Sequence, residues 1–153
     1  AQEIIHSPEI IILNEPTVGL DQIQIREIRQ LITELGKSHG IILSTHIVGD
    51  ISSTCRSMAL LNKGELVYHG SPDQIIKEAE GNVWQISATN AEYEMIKEKF
   101  HVISTIPDKD GWEVQVVADH IDGYHGKSIA PNLEHGYVYF MEYKVNKELS
   151  VTY

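Results

Sequence analysis

The stretch Ile10-Ile11-Ile12-Leu13-Asn14-Glu15-Pro16-Thr17 decides the fold, because it joins an apolar strand to polar side chains at the strand's end. Pro16 lacks an N–H group and cannot continue a hydrogen-bonded ladder. A buried strand that ends in acid or amide groups places them at the carboxyl edge of a parallel sheet, where ligands bind in open α/β folds. The stretch therefore predicts a functional site that includes Asn14 and Glu15.

A helical pattern separates this stretch from a second apolar run. Apolar residues recur at helical spacing between Ile25 and Leu35, and Gly36 follows as a stop signal. Asp21 and Gln24 form the capping-box pattern that opens a helix. The order of strand, helix and strand predicts a crossover between two parallel strands.

The second apolar run, Ile41–Leu43, ends in Ser44-Thr45-His46. Parallel strands end at the same edge of a sheet, so Glu15 and His46 are expected to lie at one edge. We therefore expect both side chains to reach one ligand.

These motifs resemble the nucleotide-binding subunit of ATP-binding cassette (ABC) transporters. Ile10–Pro16 resembles the Walker B strand of that family, Thr17–Asp21 its D-loop and His46 its switch histidine. Residues 1–9 look like the helix and turn after the family's signature motif, and the similarity weakens after roughly residue 80. The resemblance implies an α/β fold: a partial P-loop NTPase parallel sheet with flanking helices, followed by a small α+β accessory domain.

The resemblance also implies in-line attack of water on the γ-phosphorus of ATP, with Glu15 orienting or deprotonating that water. His46 would contact the γ-phosphate and sense its presence. A histidine at a strand end can instead merely cap backbone groups, but the spacing from Glu15 favours the catalytic role. The resemblance implies that Thr17 and Asp21 also bind the cofactor. The alternative roles are a turn hydroxyl for Thr17 and a helix N-cap for Asp21. For Asp21 the two roles can coexist.

Asn14 stands where the family has an aspartate that organises Mg²⁺ through bound water. An amide oxygen accepts a hydrogen bond from such a water but brings no negative charge to the metal. Three explanations stay open: a natural slow or regulatory ATPase, an introduced substitution, or a metal role that another residue takes.

Composition indicates an intracellular globular protein. The 153 residues are 42% hydrophobic and carry a net charge of -10, which argues against disorder and against nucleic-acid binding. Cys55 is the only cysteine, so an internal disulfide is impossible and a reducing compartment is expected. No apolar run approaches the ~20 residues of a membrane span, and no secretory signal peptide is evident. We expect a cytoplasmic location, with attachment to the inner face of the membrane through a permease.

Two motifs of the family are missing: the G-x-x-x-x-G-K-[ST] loop and the Leu-Ser-Gly-Gly-Gln signature, which bind nucleotide. We therefore expect the carboxyl half of an ABC ATPase domain over residues 1–80, the accessory domain over 81–143 and a tail over 144–153. For the accessory domain the pattern predicts strand 83–88, helix 91–99, strand 101–106, a turn from Pro107 to Gly111, strand 112–118 and a last helix over 132–142.

One cluster in that domain, Asp119, His120, Asp122 and His125, could supply metal ligands. Its spacing matches no closed zinc pattern, and the neighbouring glycines indicate a loop. A solvated loop is the preferred interpretation.

Two functional classes remain. The first is an ATP-hydrolysing subunit that uses ATP and Mg²⁺, dimerises with a second ATPase subunit and powers a transmembrane permease. The second is a non-hydrolysing interaction or regulatory module derived from an ABC ATPase. Asn14 and the missing G-x-x-x-x-G-K-[ST] loop are consistent with this second class. Some other strand-loop NTPase is disfavoured by the joint presence of Thr17–Asp21 and His46.

The 153-residue chain alone is expected to bind ATP weakly and to be inactive, because a phosphate-cradling loop and its lysine supply most of the binding energy. Calorimetric titration of this chain with ATP should reveal no micromolar binding. A micromolar Kd would contradict the expectation.

Overall fold

Helices and strands occur together in two compact units that divide between Arg56 and Ser57. The computed structural model describes residues 8–145. The predicted helix and turn over residues 1–9 and the tail over 144–153 therefore lie mostly outside the described residues. The mixed α/β class is confirmed, whereas the domain limits at residues 80 and 143 stay a prediction.

Between residues 8 and 56, the first unit contains two strands and two helices. In chain order they are β1 (Ile10–Asn14), α1 (Gln22–Leu35), β2 (Gly40–Ser44) and α2 (Val48–Thr54). β1 and β2 pair in parallel, with Asn14 opposite Ser44. The strand–helix–strand order expected from the sequence is thus present as a two-stranded parallel pair.

Local hydrogen bonds fix both ends of α1. The Asp21 carboxylate accepts the N–H groups of Ile23 and Gln24 at 2.9 Å. In return, the Gln24 side chain accepts the N–H of Asp21 at 3.1 Å, which completes the predicted capping box. At the other end, the Gly36 N–H donates to the carbonyl of Ile32 at 2.9 Å.

One face of the β1–β2 pair is apolar and exposed. Successive side chains of a strand point to opposite faces, so Ile11 is buried while Ile10 and Ile12 are 59% and 65% exposed. Ile42 lies opposite Ile12 and is 56% exposed. A contiguous apolar face of this kind is typical of a surface that another segment or subunit covers.

The second unit begins with a hairpin and continues into a four-stranded sheet. The hairpin joins β3 (Met58–Asn62) to β4 (Glu65–Gly70) through Lys63 and Gly64, whose φ angles of 50° and 85° suit a tight turn. Up to Val145, the remaining helices and strands are α3 (Pro72–Glu78), β5 (Val83–Ala88), α4 (Asn90–Lys99), β6 (His101–Asp108), β7 (Gly111–Val117), β8 (Gly126–Ser128) and α5 (Leu133–Tyr139), followed by a π-helical segment (Phe140–Val145).

The four strands of this sheet run in the order β6-β7-β5-β8, and each neighbouring pair is antiparallel. β8 was not predicted, because its three exposed residues show no periodicity. The turn predicted to start at Pro107 was placed too early: Pro107 belongs to β6, an edge strand, where proline is tolerated. The last helix was predicted too long, since Asn132 is its cap and Phe140–Val145 is π-helical.

Two apolar clusters stabilise the second unit from opposite faces of the sheet. Ile86 and Val114 belong to one cluster together with Ile96 of α4, and all three are fully buried. Val83 and Val117, which pair across β5 and β7, belong to the other. None of the helices found between residues 8 and 145 has the length and apolar character needed to cross a bilayer.

Close packing of α5 against α3 surrounds a buried histidine. A Cβ at Gly136 would lie 2.5 Å from the carbonyl oxygen of Ile75, so only glycine allows this approach. His135 is buried, and its Nδ1 accepts the N–H of Asn132 at 3.1 Å, while Nε2 has no partner among the described residues. Burial lowers the pKa of His135 below its ordinary value of 6.5, although the charge of Glu134 acts in the opposite direction.

We predict that His135 makes the fold less stable as the pH falls below about 6.5. The unfolded chain binds a proton at His135 near this pH, whereas the folded chain does so only at a lower pH, so protons favour the unfolded state in between. Urea unfolding at about pH 7.5 and about pH 5.5 should show a larger loss of stability for the natural chain than for His135→Gln, which keeps an acceptor for the Asn132 N–H.

The matched control is His125→Gln, which removes an exposed imidazole. This variant should lose as much stability on acidification as the natural chain. Equal losses for the natural chain and His135→Gln would show that His135 does not contribute to the pH dependence.

Candidate functional site

The candidate site begins where β1 and β2 end. The Glu15 N–H donates to the carbonyl of Ser44 at 2.8 Å, which extends the parallel pairing beyond the strands. Beside it, the Ser44 hydroxyl donates to Oδ1 of Asn14 at 2.5 Å. The two strand ends are therefore tied by a backbone bond and a side-chain bond, and the Asn14 amide oxygen already accepts one of them.

Glu15 and His46 meet at this edge of the sheet. Oε1 of Glu15 accepts the backbone N–H of His46 at 3.2 Å and lies 2.9 Å from ring atom Nδ1. Oε2 of Glu15 is buried and has no hydrogen-bond partner among residues 8–145. The His46 side chain is 74% exposed. The carboxylate thus holds one imidazole nitrogen with one oxygen and has its second oxygen left for a further donor.

The backbone of Glu15 is strained. Its φ of +47° lies in the left-handed region, which is uncommon for a residue other than glycine. Such conformations cost about 1–3 kcal/mol and persist only where the surrounding structure holds them. Here the N–H of Glu15 donates to Ser44, and its carbonyl accepts the N–H of Val18 at 3.3 Å. These bonds and the His46 contact keep Glu15 in place.

A buried carboxylate that the sequence reasoning missed lies in the same unit. Asp50 of α2 is 1% exposed, and its Oδ2 accepts the hydroxyl of Thr17 at 2.5 Å and that of Thr45 at 3.4 Å. Its Oδ1 accepts Nε and Nη2 of Arg29 at 3.0 and 2.6 Å. The signal that could have found Asp50 is a carboxylate on the helix after His46, but its strongest partners, Thr17 and Arg29, lie 33 and 21 positions away in the sequence.

The structure separates the five predicted site residues into three settings. Asn14, Glu15 and His46 lie together at the strand ends. Thr17 is buried and donates its hydroxyl to Asp50, while Asp21 is the N-cap of α1. The roles predicted for all five in nucleotide chemistry stay predictions.

The strand-end residues fit a phosphate with a hydrated cation better than a cation bound directly by protein. Within residues 8–145 there is no group of three or more His, Cys, Asp or Glu side chains that could hold a metal ion. The orphaned Oε2 of Glu15 and the amide oxygen of Asn14 are acceptors, which suit water molecules around a Mg²⁺ ion. The exposed imidazole of His46 suits a phosphate oxygen.

The loop that contains Asp119 and Asp122 contacts its own unit. The Tyr139 hydroxyl donates to Asp119 at 3.3 Å, and burial together with the Asp119 charge raises the pKa of Tyr139. Lys99 donates to the backbone carbonyl of Asp122 at 3.3 Å. These contacts hold the loop within the second unit.

Sequence comparison finds relatives along most of the chain. An uncharacterized ABC transporter ATP-binding protein of Nostoc sp. is 31% identical over 126 residues, 80% of this chain and 36% of the relative. Another, of Synechocystis sp., is 30% identical over 142 residues, 87% of this chain and 38% of the relative. The energy-coupling factor transporter ATP-binding protein EcfA2 of Enterococcus faecalis is 33% identical over 75 residues, 48% of this chain and 26% of that protein. No family model matches the chain.

The chain spans little more than a third of the length of the first two relatives, 36% and 38%. Both alignments are longer than either compact unit, so the similarity extends over both. The homologues are thus ABC transporter ATP-binding proteins, and their similarity supports the assignment of this chain as a carboxyl-terminal ABC ATPase portion.

Proposed function

We propose that this chain carries hydrolytic residues of an ATP-binding, ATP-hydrolysing subunit that powers the permease of an ABC transporter. The observation that carries the proposal is the contact between Glu15 and His46 at the ends of two parallel strands. Side chains in that place reach one ligand at the carboxyl edge of the sheet. The names of the relatives support ATP as that ligand.

Glu15 acts on the attacking water. Oε1 accepts from the backbone and the ring of His46, so Oε2 is the oxygen that accepts a hydrogen bond or a proton from the water. Phosphoryl transfer depends mainly on positioning and on charge stabilisation. A carboxylate that two hydrogen bonds and a constrained backbone hold in place is suited to this task.

His46 acts on the terminal phosphate. With Nδ1 donating to Glu15, the ring has Nε2 left to contact a phosphate oxygen. Because a phosphate oxygen accepts hydrogen bonds, this contact requires an N–H at Nε2 in addition to the one at Nδ1. The pair therefore couples the position of the base to the presence of the phosphate.

Asn14 would hold a water of a bound Mg²⁺ ion, and Thr17 and Asp21 would contribute to the nucleotide or partner-subunit side of the site. Mg²⁺, when bound, neutralises charge on the phosphate oxygens. Oδ1 of Asn14 accepts the Ser44 hydroxyl with one lone pair and has a second for such a water. The amide adds no charge there, which predicts weak Mg²⁺ binding and slow turnover.

The site belongs to a larger assembly. Strands of parallel sheets are typically covered on both faces, so the exposed apolar face of Ile10, Ile12 and Ile42 supports a larger P-loop NTPase sheet. We propose that the remaining ATPase sequence and a second ATPase subunit complete the nucleotide site, and that the dimer binds a transmembrane permease at the cytoplasmic face of the membrane.

The alternative is a non-hydrolysing interaction or regulatory module derived from an ABC ATPase. Asn14 at the metal position favours this alternative, because it removes a charge that hydrolysis uses. In such a module the contact between Glu15 and His46 would serve only to hold the two strand ends together.

We predict that Glu15→Gln abolishes ATP turnover in the complete natural polypeptide that contains these residues. An amide cannot accept the proton, and loss of a general base lowers kcat by about 10²–10⁴-fold. Phosphate release in steady state measures the effect, and the exposed Glu27→Gln in α1 is the control that keeps the natural rate. Equal turnover by the two variants would show that Glu15 is not the general base.

We predict that Asn14→Asp raises Mg²⁺-dependent turnover of the same polypeptide by about fivefold, since a hydrogen bond to a charged group is stronger by about 1 kcal/mol. The rate is measured as a function of Mg²⁺ concentration. Asn90→Asp, where the carboxylate can still accept the Trp112 indole at 2.7 Å, should leave the rate unchanged. An unchanged rate for Asn14→Asp would mean that this position does not contact the metal's water.

A further inference from the structure

We propose that Asp50 is a positioning residue for Glu15 and His46, an inference that rests on the proposed ATP hydrolysis. Asp50 acts through the neighbours of these residues. Thr17 follows Glu15 closely, and Thr45 directly precedes His46. A single carboxylate oxygen, Oδ2 of Asp50, accepts both hydroxyls, at 2.5 Å and 3.4 Å.

The other oxygen of the carboxylate fixes Asp50 itself. Oδ1 accepts Nε and Nη2 of Arg29, at 3.0 and 2.6 Å, which ties α2 to α1. A Cβ at Gly49 would lie 3.3 Å from Nη2, so the absence of a side chain there leaves room for the guanidinium. The hydroxyl of Thr54 also donates to the carbonyl of Asp50. At 1% exposure, Asp50 is oriented by these donors and not by bulk water.

This network sets the separation of the two segments that follow β1 and β2. Moving the Thr17 segment away from the Thr45 segment breaks a hydrogen bond to a buried charge, which is among the stronger contacts in a protein. The Thr45 hydroxyl also accepts the N–H of Ile47 at 3.0 Å, and this bond fixes the backbone on both sides of His46. Asp50 therefore maintains the 2.9 Å contact between Glu15 and His46.

Asp50→Asn in the complete natural polypeptide tests the proposal. The amide keeps the shape of the side chain but has one acceptor oxygen, so it cannot accept from the threonine hydroxyls and from Arg29 at once. We expect kcat for ATP hydrolysis to fall by about 10²-fold, as a small misplacement of catalytic groups produces. The KM for ATP should change by less than about threefold, because binding of the nucleotide is not altered. The control is Asp73→Asn, the same change at an exposed position in the first turn of α3, which should leave both constants unchanged.

A spectroscopic readout separates positioning from a general loss of structure. NMR signals of the imidazole nitrogens report which nitrogen of His46 carries a proton and whether Nδ1 donates. In Asp50→Asn these signals should shift, whereas those of the exposed His125 should not. If Asp50→Asn does not fold, Thr45→Val decides the question, since it removes the hydroxyl at similar volume and should lower kcat without raising KM.

A natural kcat together with unshifted His46 signals in Asp50→Asn would overturn the proposal, as would a natural kcat in Thr45→Val. Failure of the proposed function has a different signature: the natural polypeptide would not hydrolyse ATP, or Glu15→Gln would turn over at the natural rate. In that case the His46 signals of Asp50→Asn still decide whether Asp50 positions the pair.

Discussion

The parallel pairing of β1 with β2 is the constraint on which the rest of the candidate site depends. Its register sets Asn14 opposite Ser44, so the residues that follow leave the two strands at one edge. A slip by one residue would turn every side chain of a strand to the other face and separate Asn14 from Ser44. Because the register holds, Glu15 can bond to the Ser44 carbonyl with its backbone and to His46 with its side chain.

Stability and chemistry use the same residues in this unit. Glu15 occupies a strained conformation, and Asp50 is a buried charge, two features that a fold tolerates only when neighbouring groups compensate them. The compensation comes from bonds to Ser44, Thr17 and Arg29, which also determine where the Glu15 carboxylate lies. A rigid carboxylate beside an exposed imidazole follows from this arrangement.

Local patterns in the sequence predicted most helices and strands. The capping box of Asp21 and Gln24 and the strand Val83–Ala88 each depend on residues close together in the chain. Long-range contacts were not accessible in this way. The Thr17–Asp50 bond joins residues 33 positions apart, and β8 exists only because β5 offers it a pairing edge.

The proximity of Glu15 and His46 could be predicted because crossover topology brings together residues that are distant in sequence. What they do there was suggested by resemblance to a family, since fold alone does not specify chemistry. At Asn14 the chain departs from that family, since the strand end is retained but its negative charge is not.

The central claim is that Glu15 and His46 act as one unit on a shared phosphate. A double-mutant cycle on kcat in the complete natural polypeptide, with Glu15→Gln, His46→Ala and both together, tests it most directly. If the two side chains act as a unit, the double variant should be no slower than the slower single variant. Losses of kcat that multiply in the double variant would contradict the claim and make the two residues independent.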